Sequence, residues 1–166
     1  MTDFSDYKGI WVFCEQRGGE LMPTDFELIS EASRLAKEMD CKVTGVLLGN
    51  GVEAAAKTLG GYGADEVILC EDPLLEVYTT DAYTKVICDL VNEYKPAAML
   101  IGATNIGRDL GPRCAARLHT GLTADATDNV QERCRIAGMN DCICKPIDSD
   151  KLFNCLSREM EGQADV

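Results

Sequence analysis

Short, continuously apolar runs alternate with longer amphipathic segments along most of this chain. The apolar runs predict strands at residues 9–15, 42–49, 64–71, 97–103, 120–126 and 141–146. The amphipathic segments predict helices at residues 25–39, 51–63, 80–94, 105–119, 128–137 and 148–161. In the helix predicted over 80–94, Ile87, Leu90 and Tyr94 fall on one face, which indicates a helix with one buried side.

This alternation predicts a doubly wound α/β fold. Because helix-length segments separate the strands, consecutive strands are expected to run parallel. Parallel strands are covered on both faces, so they consist of continuous apolar residues, as these do. We expect a mainly parallel sheet of about six strands with helices on both faces, which is a flavodoxin-like or nucleotide-binding α/β sandwich. No linker-like stretch interrupts the sequence, so residues 1–166 are expected to form a single domain.

The net charge of the sequence indicates which classes of partner it can bind. With 28 acidic and 16 basic residues, the net charge is −12. A negative field opposes nonspecific binding to nucleic acid and to anionic membranes, whereas it suits a protein partner. No apolar run reaches the ~18 residues of a membrane span.

The cysteines indicate a reducing compartment. The polar, acidic N-terminal sequence does not resemble a signal peptide, and most of the nine cysteines lie within apolar runs. We therefore expect reduced thiols in the cytoplasm. Cys142 and Cys144 form one close pair, but there is no second pair, and His119 is the sole histidine of the sequence. No metal site is expected from this set.

One loop could bind an anion. The segment GATNIGRDLGPR (102–113) follows a predicted strand and starts a predicted helix, whose backbone N–H groups can bind a phosphate. The candidate cofactor-binding residues are Gly102, Thr104, Asn105, Arg108 and Arg113. The alternative is a turn that needs glycine geometry, followed by a helix whose arginines face solvent or a protein partner.

Residues 8–125 resemble the N-terminal domain of the electron transfer flavoprotein α subunit. The resemblance is carried by VFCEQRGGEL (12–21), GVEAAAKTLGGYGADEVIL (51–69) and GRDLGPRCAARLHTGLTAD (107–125). In that family the α subunit pairs with a β subunit, and the pair passes electrons from dehydrogenases to an acceptor through FAD. The resemblance implies that this domain is a scaffold and subunit contact, and that related domains bind adenine nucleotides.

The same resemblance implies that FAD is held chiefly by a C-terminal domain of the α subunit. This sequence ends at Val166 without such a domain. The expectation is therefore that this polypeptide holds no cofactor alone, although FAD is possible together with a β subunit and the missing domain. No complete catalytic constellation is present, so an enzyme is not expected.

Residues 122–160 resemble instead the last third of a response-regulator receiver domain. The matching string is LTADATDNVQERCRIAGMNDCICKPIDSDKLF (122–153). The resemblance implies that Thr123 and Lys145 occupy the positions of the hydroxyl and lysine that contact a phosphoryl group. The acidic pair and phospho-accepting aspartate of receivers do not carry over, so both residues are expected to be structural remnants.

The chain thus reads as a chimera of two doubly wound parents. The leading interpretation is a scaffold or subunit-interaction module in electron transfer. Two alternatives remain, a signalling pseudo-receiver that binds proteins through its last helix, and an autonomous adenine-nucleotide-binding module.

Overall fold

The computed structural model describes residues 6–125 and 141–143. Its elements, in chain order, are β1 (Ile10–Cys14), β2 (Gln16–Arg17), β3 (Glu20–Leu21), α1 (Pro23–Met39), β4 (Val43–Gly49), α2 (Glu53–Thr58), β5 (Glu66–Glu71), α3 (Thr80–Tyr94), β6 (Ala98–Ile101), α4 (Asn105–Leu118), β7 (Thr123–Asp125) and β8 (Asp141–Ile143). Short 3-10 turns lie at Leu59–Tyr62 and Pro73–Leu75. The described residues form two compact units, one ending at Leu110 and the other beginning at Gly111.

The first unit is built on a four-stranded parallel sheet in the order β5-β4-β1-β6. Ile10 of the central strand β1 lies opposite Val43 of β4 on one side and Ala98 of β6 on the other. The prediction of a mainly parallel, doubly wound sheet is confirmed. The chain first builds outward from β1 through β4 to β5 and then returns to place β6 on the opposite side of β1. Ligands of open α/β sheets bind where the strand order reverses in this way, at the carboxyl ends of the strands.

Helices cover both faces of this sheet, which explains why the two inner strands consist entirely of buried residues. On one face, the fully buried Ile29 of α1 lies near Gly45 of β4. On the other face, the ring of Tyr83 from α3 meets Phe13 edge-on, with ring centroids 6.3 Å apart. The outer strands β5 and β6 are only half-buried at most positions.

The segment between β1 and α1, where the hydrophobic pattern predicts neither a strand nor a helix, contains two short strands. Gln16–Arg17 and Glu20–Leu21 pair antiparallel as a small hairpin. Gly18 and Gly19 form its turn with φ angles of 61° and 86°, which glycine adopts without strain. The prediction was wrong here because two-residue strands are too short to show any periodicity.

In the second unit, β7 and β8 pair parallel, with Thr123 opposite Asp141. The strands predicted over 120–126 and 141–146 therefore contain the observed ones. The helices predicted over 128–137 and 148–161 lie outside the described residues. That residues 1–166 form a single domain stays a prediction.

A close backbone approach fixes the turn from β6 into α4. A Cβ atom added to Gly107 would lie 1.9 Å from the carbonyl oxygen of Gly102 and 3.0 Å from Cγ2 of Ile101. A carbonyl at that distance cannot move aside without displacing the chain. Gly107 therefore lets the first turn of α4 pack directly on the end of β6.

We predict that Gly107→Ala destabilises the fold by about 2–4 kcal/mol, because the added methyl group forces backbone displacement. Urea unfolding followed by the fluorescence of the buried Trp11 measures this change. Gly60→Ala is the matched control, since its added Cβ would have no neighbour within 4 Å. Its expected effect is within about 0.5 kcal/mol. Equal effects of the two substitutions would contradict the packing argument.

Candidate functional site

Polar side chains gather where the strand order reverses, at the carboxyl ends of β1 and β6. Glu15 follows β1 directly, and Thr104 lies between β6 and α4. The hydroxyl of Thr104 donates a hydrogen bond to Oε2 of Glu15 across this reversal. The two residues are 89 positions apart in sequence, so the fold alone brings them together.

The carboxylate of Glu15 is buried, with 5% of the residue exposed. Its Oε1 accepts hydrogen bonds from Nε and Nη2 of Arg17, at 2.9 and 2.8 Å. Burying a carboxylate is costly unless it is paired and hydrogen-bonded, and here a guanidinium and a hydroxyl serve its two oxygens. Arg17 is supplied by the hairpin, which explains why the chain turns back immediately after β1.

Thr104 also caps the N-terminus of α4. Its Oγ1 accepts the backbone N–H of Gly107 at 3.0 Å while the same hydroxyl donates to Glu15. Its carbonyl oxygen accepts the N–H of Arg108 at 3.0 Å. Threonine is a favourable N-cap residue because its side-chain oxygen satisfies an otherwise unpaired helix N–H. One side chain thus joins the helix terminus to the buried carboxylate.

A second buried carboxylate, Asp25, lies behind Glu15. Its two oxygens accept the backbone N–H groups of Glu15 and Met22, each at 2.9 Å. Asp25 is the third residue of α1, so the bond from Met22 resembles half of a capping box. Burial raises the pKa of Asp25 to about 6, the two N–H donors oppose this rise, and the nearby charge of Glu15 adds to it.

A neighbouring set of bonds fixes the other side of the hairpin. Nε2 of Gln16 donates to the carbonyl oxygen of Glu76 at 3.1 Å, and Oε1 of Gln16 accepts the N–H of Gly19. The hydroxyl of Tyr83 donates to the carbonyl oxygen of Leu75 at 2.7 Å. The hairpin, the start of α3 and the segment after β5 are therefore held together at the same end of the sheet.

Four of the predicted binding residues lie together in the turn from β6 into α4. Gly102 is half-buried, and a Cβ there would lie 3.2 Å from Cγ2 of Thr24. Asn105 and Arg108 are exposed on the first turn of α4, and Thr104 is the capping residue. Their role in binding a cofactor stays a prediction.

The remaining predicted residues lie elsewhere. Arg113 is exposed farther along α4, and Thr123 is half-buried on β7. Lys145 lies outside the described residues. The sequence reasoning missed Glu15, Arg17 and Asp25 as members of one site. An acidic residue directly after a buried strand, as in FCEQR, is the signal that could have identified Glu15.

Groups of the same chain already occupy part of this helix terminus. The positive end of a helix dipole attracts an anion. Here the carboxylate of Glu15 already lies next to that end, and the N–H of Gly107 is already bonded to Thr104. A phosphate that bonds to the N–H of Gly107 would have to displace the cap, and it would approach the buried carboxylate of Glu15.

Acidic residues at the end of β5 are likewise engaged by backbone groups. Oε1 of Glu71 accepts the N–H of Val52, and Oδ1 of Asp72 accepts the N–H of Leu74, both at 2.8 Å. Residues 6–125 and 141–143 contain no cluster of three or more side chains suited to a metal ion. These carboxylates stabilise turns.

A shallow groove of about 330 Å³ lies between α2 and the edge strand β5. Its charged lining includes Lys57, which pairs with Glu53 at 2.8 Å, together with Asp65 and Glu66. The groove is remote in sequence from every predicted binding residue, and three of its four charged lining residues are acidic. It offers no evident anion site.

Comparison with known proteins identifies relatives for most of the chain. Residues 10–136 match the electron transfer flavoprotein domain. This match continues past Asp125, where the sequence resemblance was expected to end. None of the helices in the described part of the chain is both long and apolar enough to cross a membrane.

Three curated relatives cover similar parts of the chain. The acryloyl-CoA reductase electron transfer subunit beta of Anaerotignum propionicum is 67% identical over 76% of this chain and 34% of its own length. The electron transfer flavoprotein subunit alpha of Clostridium acetobutylicum is 54% identical over 74% and 37%. Subunit LctC of the lactate dehydrogenase (NAD(+),ferredoxin) of Acetobacterium woodii is 41% identical over 75% and 30%. The chain thus spans about a third of the length of the curated relatives it matches.

Among solved structures, the universal stress protein from Archaeoglobus fulgidus aligns with a TM-score of 0.43 and 16% sequence identity, covering 83% of this chain and 98% of that one.

We predict that the free energy of unfolding of the wild type rises, relative to that of an Asp25→Asn variant, as the pH falls from 7 to 4. The folded pKa of Asp25 lies near 6, above the value of 3.8 for an ordinary aspartate, so the folded state binds the proton more tightly. The stabilisation is complete below the unfolded pKa and is lost as the pH rises through the folded pKa, a change of up to about 3 kcal/mol.

Urea unfolding of both proteins at several pH values measures this difference. Subtracting the free energy of unfolding of the variant from that of the wild type at each pH removes the contribution of the other carboxylates. A difference that stays constant, or that favours the wild type more at higher pH, would contradict the raised pKa.

Proposed function

This chain belongs to the electron transfer flavoprotein family, and we propose that it acts as an α-subunit-type scaffold and subunit-interaction module in electron transfer. The proposal concerns the role of this module, since the chain matches about a third of its relatives. In this role the domain positions a partner, and the redox flavin is held by other parts of the assembly.

The closed network around Glu15 is the observation that carries this proposal. At the end of the sheet where a nucleotide would bind, both oxygens of Glu15 and both oxygens of Asp25 are bonded to groups of the same fold. Such a network stiffens the fold and leaves few polar groups to orient a cofactor. A rigid domain that does not itself bind a cofactor is suited to the role of a scaffold.

The names of the relatives support a role within a larger assembly. Two of them are named as subunits of an acryloyl-CoA reductase and of a lactate dehydrogenase. We propose that this chain likewise binds a protein partner, specifically an electron transfer flavoprotein β subunit. As an electron-transfer component, it would not itself catalyse a reaction on a substrate.

We further place the chain in the cytoplasm. Among the described residues, Cys14, Cys41 and Cys70 are thiols outside any disulfide. Thiols persist in a reducing compartment. The test is to alkylate the thiols in intact cells before the protein is extracted. A disulfide found in the extracted protein would contradict the cytoplasmic placement.

We predict that the full chain forms a one-to-one complex with the β subunit of the Clostridium acetobutylicum electron transfer flavoprotein. Size-exclusion chromatography with light scattering detects the complex. The purified chain alone is expected to lack the visible absorption band of a flavin, because Thr104 and Glu15 already occupy part of the helix terminus. Absence of any complex would refute the subunit role, and a flavin that copurifies with the chain alone would refute the scaffold role.

We also propose that residues 122–160 form a receiver-like end that does not accept a phosphoryl group. The parallel pairing of β7 with β8 supports this arrangement, since it places Thr123 opposite Asp141. Glu15, after β1, bonds to Arg17 and Thr104. Glu71, at the end of β5, and Asp72, after it, bond to backbone N–H groups. Phosphoryl transfer needs a free carboxylate nucleophile and a metal ion.

We predict that incubation with acetyl phosphate and Mg²⁺ leaves the intact mass of the chain unchanged. A functional receiver domain treated in parallel serves as the positive control. An added phosphoryl group that hydroxylamine removes is an acyl phosphate, and it would favour a signalling role over the scaffold.

A further inference from the structure

Two aliphatic side chains project into solvent on the segment between β5 and α3. Leu74 is 77% exposed and Val77 is 72% exposed. They lie three residues apart around the 3-10 turn Pro73–Leu75. Single exposed aliphatic residues are common on protein surfaces, whereas larger exposed apolar patches rimmed by polar residues mark interaction sites. We call this segment, residues 72–79, the acidic-apolar loop.

The acidic-apolar loop is held in place at several points. Asp72 caps its turn by accepting the N–H of Leu74, and the fully packed Leu75 anchors its middle, with 4% of the residue exposed. The carbonyl oxygens of Leu75 and Glu76 accept hydrogen bonds from Tyr83 and Gln16.

Its C-terminal end is fixed by Asp109 of α4. Oδ2 of Asp109 accepts the hydroxyls of Tyr78 and Thr80, at 2.7 and 2.6 Å. The ring of Tyr78 also packs edge-on against Tyr83, with centroids 5.0 Å apart. Leu74 and Val77 are therefore displayed by a preorganised backbone. Binding to such a surface loses little conformational entropy, which favours affinity.

Charge specifies the chemistry of the partner. Glu71, Asp72, Glu76 and Asp81 are all exposed around the two aliphatic residues. No lysine or arginine occurs anywhere between residues 58 and 84. Within this stretch of sequence, the side chains around the loop are therefore acidic or uncharged. A partner that covers it must offer positive charge around an apolar depression.

We propose that the acidic-apolar loop docks into an apolar cleft edged by lysine and arginine on a partner protein. This inference rests on the proposed function and identifies the surface through which the module contacts its β subunit. Leu74 and Val77 fill the cleft, and Glu76 and Asp81 face its basic rim. Apolar residues at the centre with a polar rim around them are the usual arrangement in a protein interface.

The test measures binding of the full chain to the β subunit of the Clostridium acetobutylicum electron transfer flavoprotein by isothermal titration calorimetry. The double variant Leu74→Ser/Val77→Ser is expected to bind about tenfold or more weakly than the wild type. Both side chains are exposed, so the thermal midpoint of unfolding should not change. This readout separates loss of contact from loss of fold.

A charge-reversal pair tests the electrostatic part. Glu76→Lys and Glu93→Lys change the net charge equally, but Glu93 lies near the C-terminal end of α3, outside the loop. Glu76→Lys is expected to weaken binding about fivefold or more and to reduce its salt dependence. Glu93→Lys should stay within about twofold of the wild type.

The outcomes separate the two proposals. If the wild type binds the β subunit and all variants bind equally well, this inference is overturned while the subunit role stands. If Glu76→Lys and Glu93→Lys weaken binding equally, the local charge argument is wrong, and so is the basic rim. If the wild type does not bind at all, both the inference and the proposed function are overturned.

Discussion

The hydrogen bond between Thr104 and Glu15 is the constraint on which the carboxyl end of the sheet depends. A carboxylate buried at the end of β1 must be paired, and the chain provides its partners from opposite directions. The hairpin after β1 supplies Arg17, and the turn after β6 supplies a hydroxyl that also caps α4. Removing either partner would leave a buried negative charge with unsatisfied oxygens. The turn geometry around Gly107 follows from the same arrangement.

The alternation of apolar and amphipathic segments was sufficient to predict the sheet. The helix predicted over 80–94 has the observed bounds of α3, and the strand predicted over 42–49 differs from β4 by one residue. Burial on both faces makes such strands easy to recognise, because nearly every position is apolar. Strand ends were less accurate, since the strand predicted over 97–103 shortens to Ala98–Ile101. Its last residues turn to meet α4.

The polar site was only partly predictable. Thr104 stood out because it precedes a helix after a strand, but its partner is a residue near the other end of the unit. Nothing local in the sequence shows that Glu15 is buried or that Asp25 accepts its N–H. Such bonds depend on which strands become neighbours, and the order β5-β4-β1-β6 emerges only from the complete fold. The sequence predicted Arg108 as a cation for binding an anion. In the structure it is Thr104 that caps α4 and bridges it to Glu15.

The contrast between inner and outer strands has a consequence for how the molecule opens. Every residue of β1 and β4 is buried, while β5 at one border is partly accessible and pairs through one edge within the described sheet. Native proteins expose their amide groups to solvent exchange in cooperative blocks of unequal stability. The amides of β1 and β4 would exchange only when the whole unit unfolds. Those of β5 and α2 would exchange earlier, through a smaller local opening that leaves the centre intact.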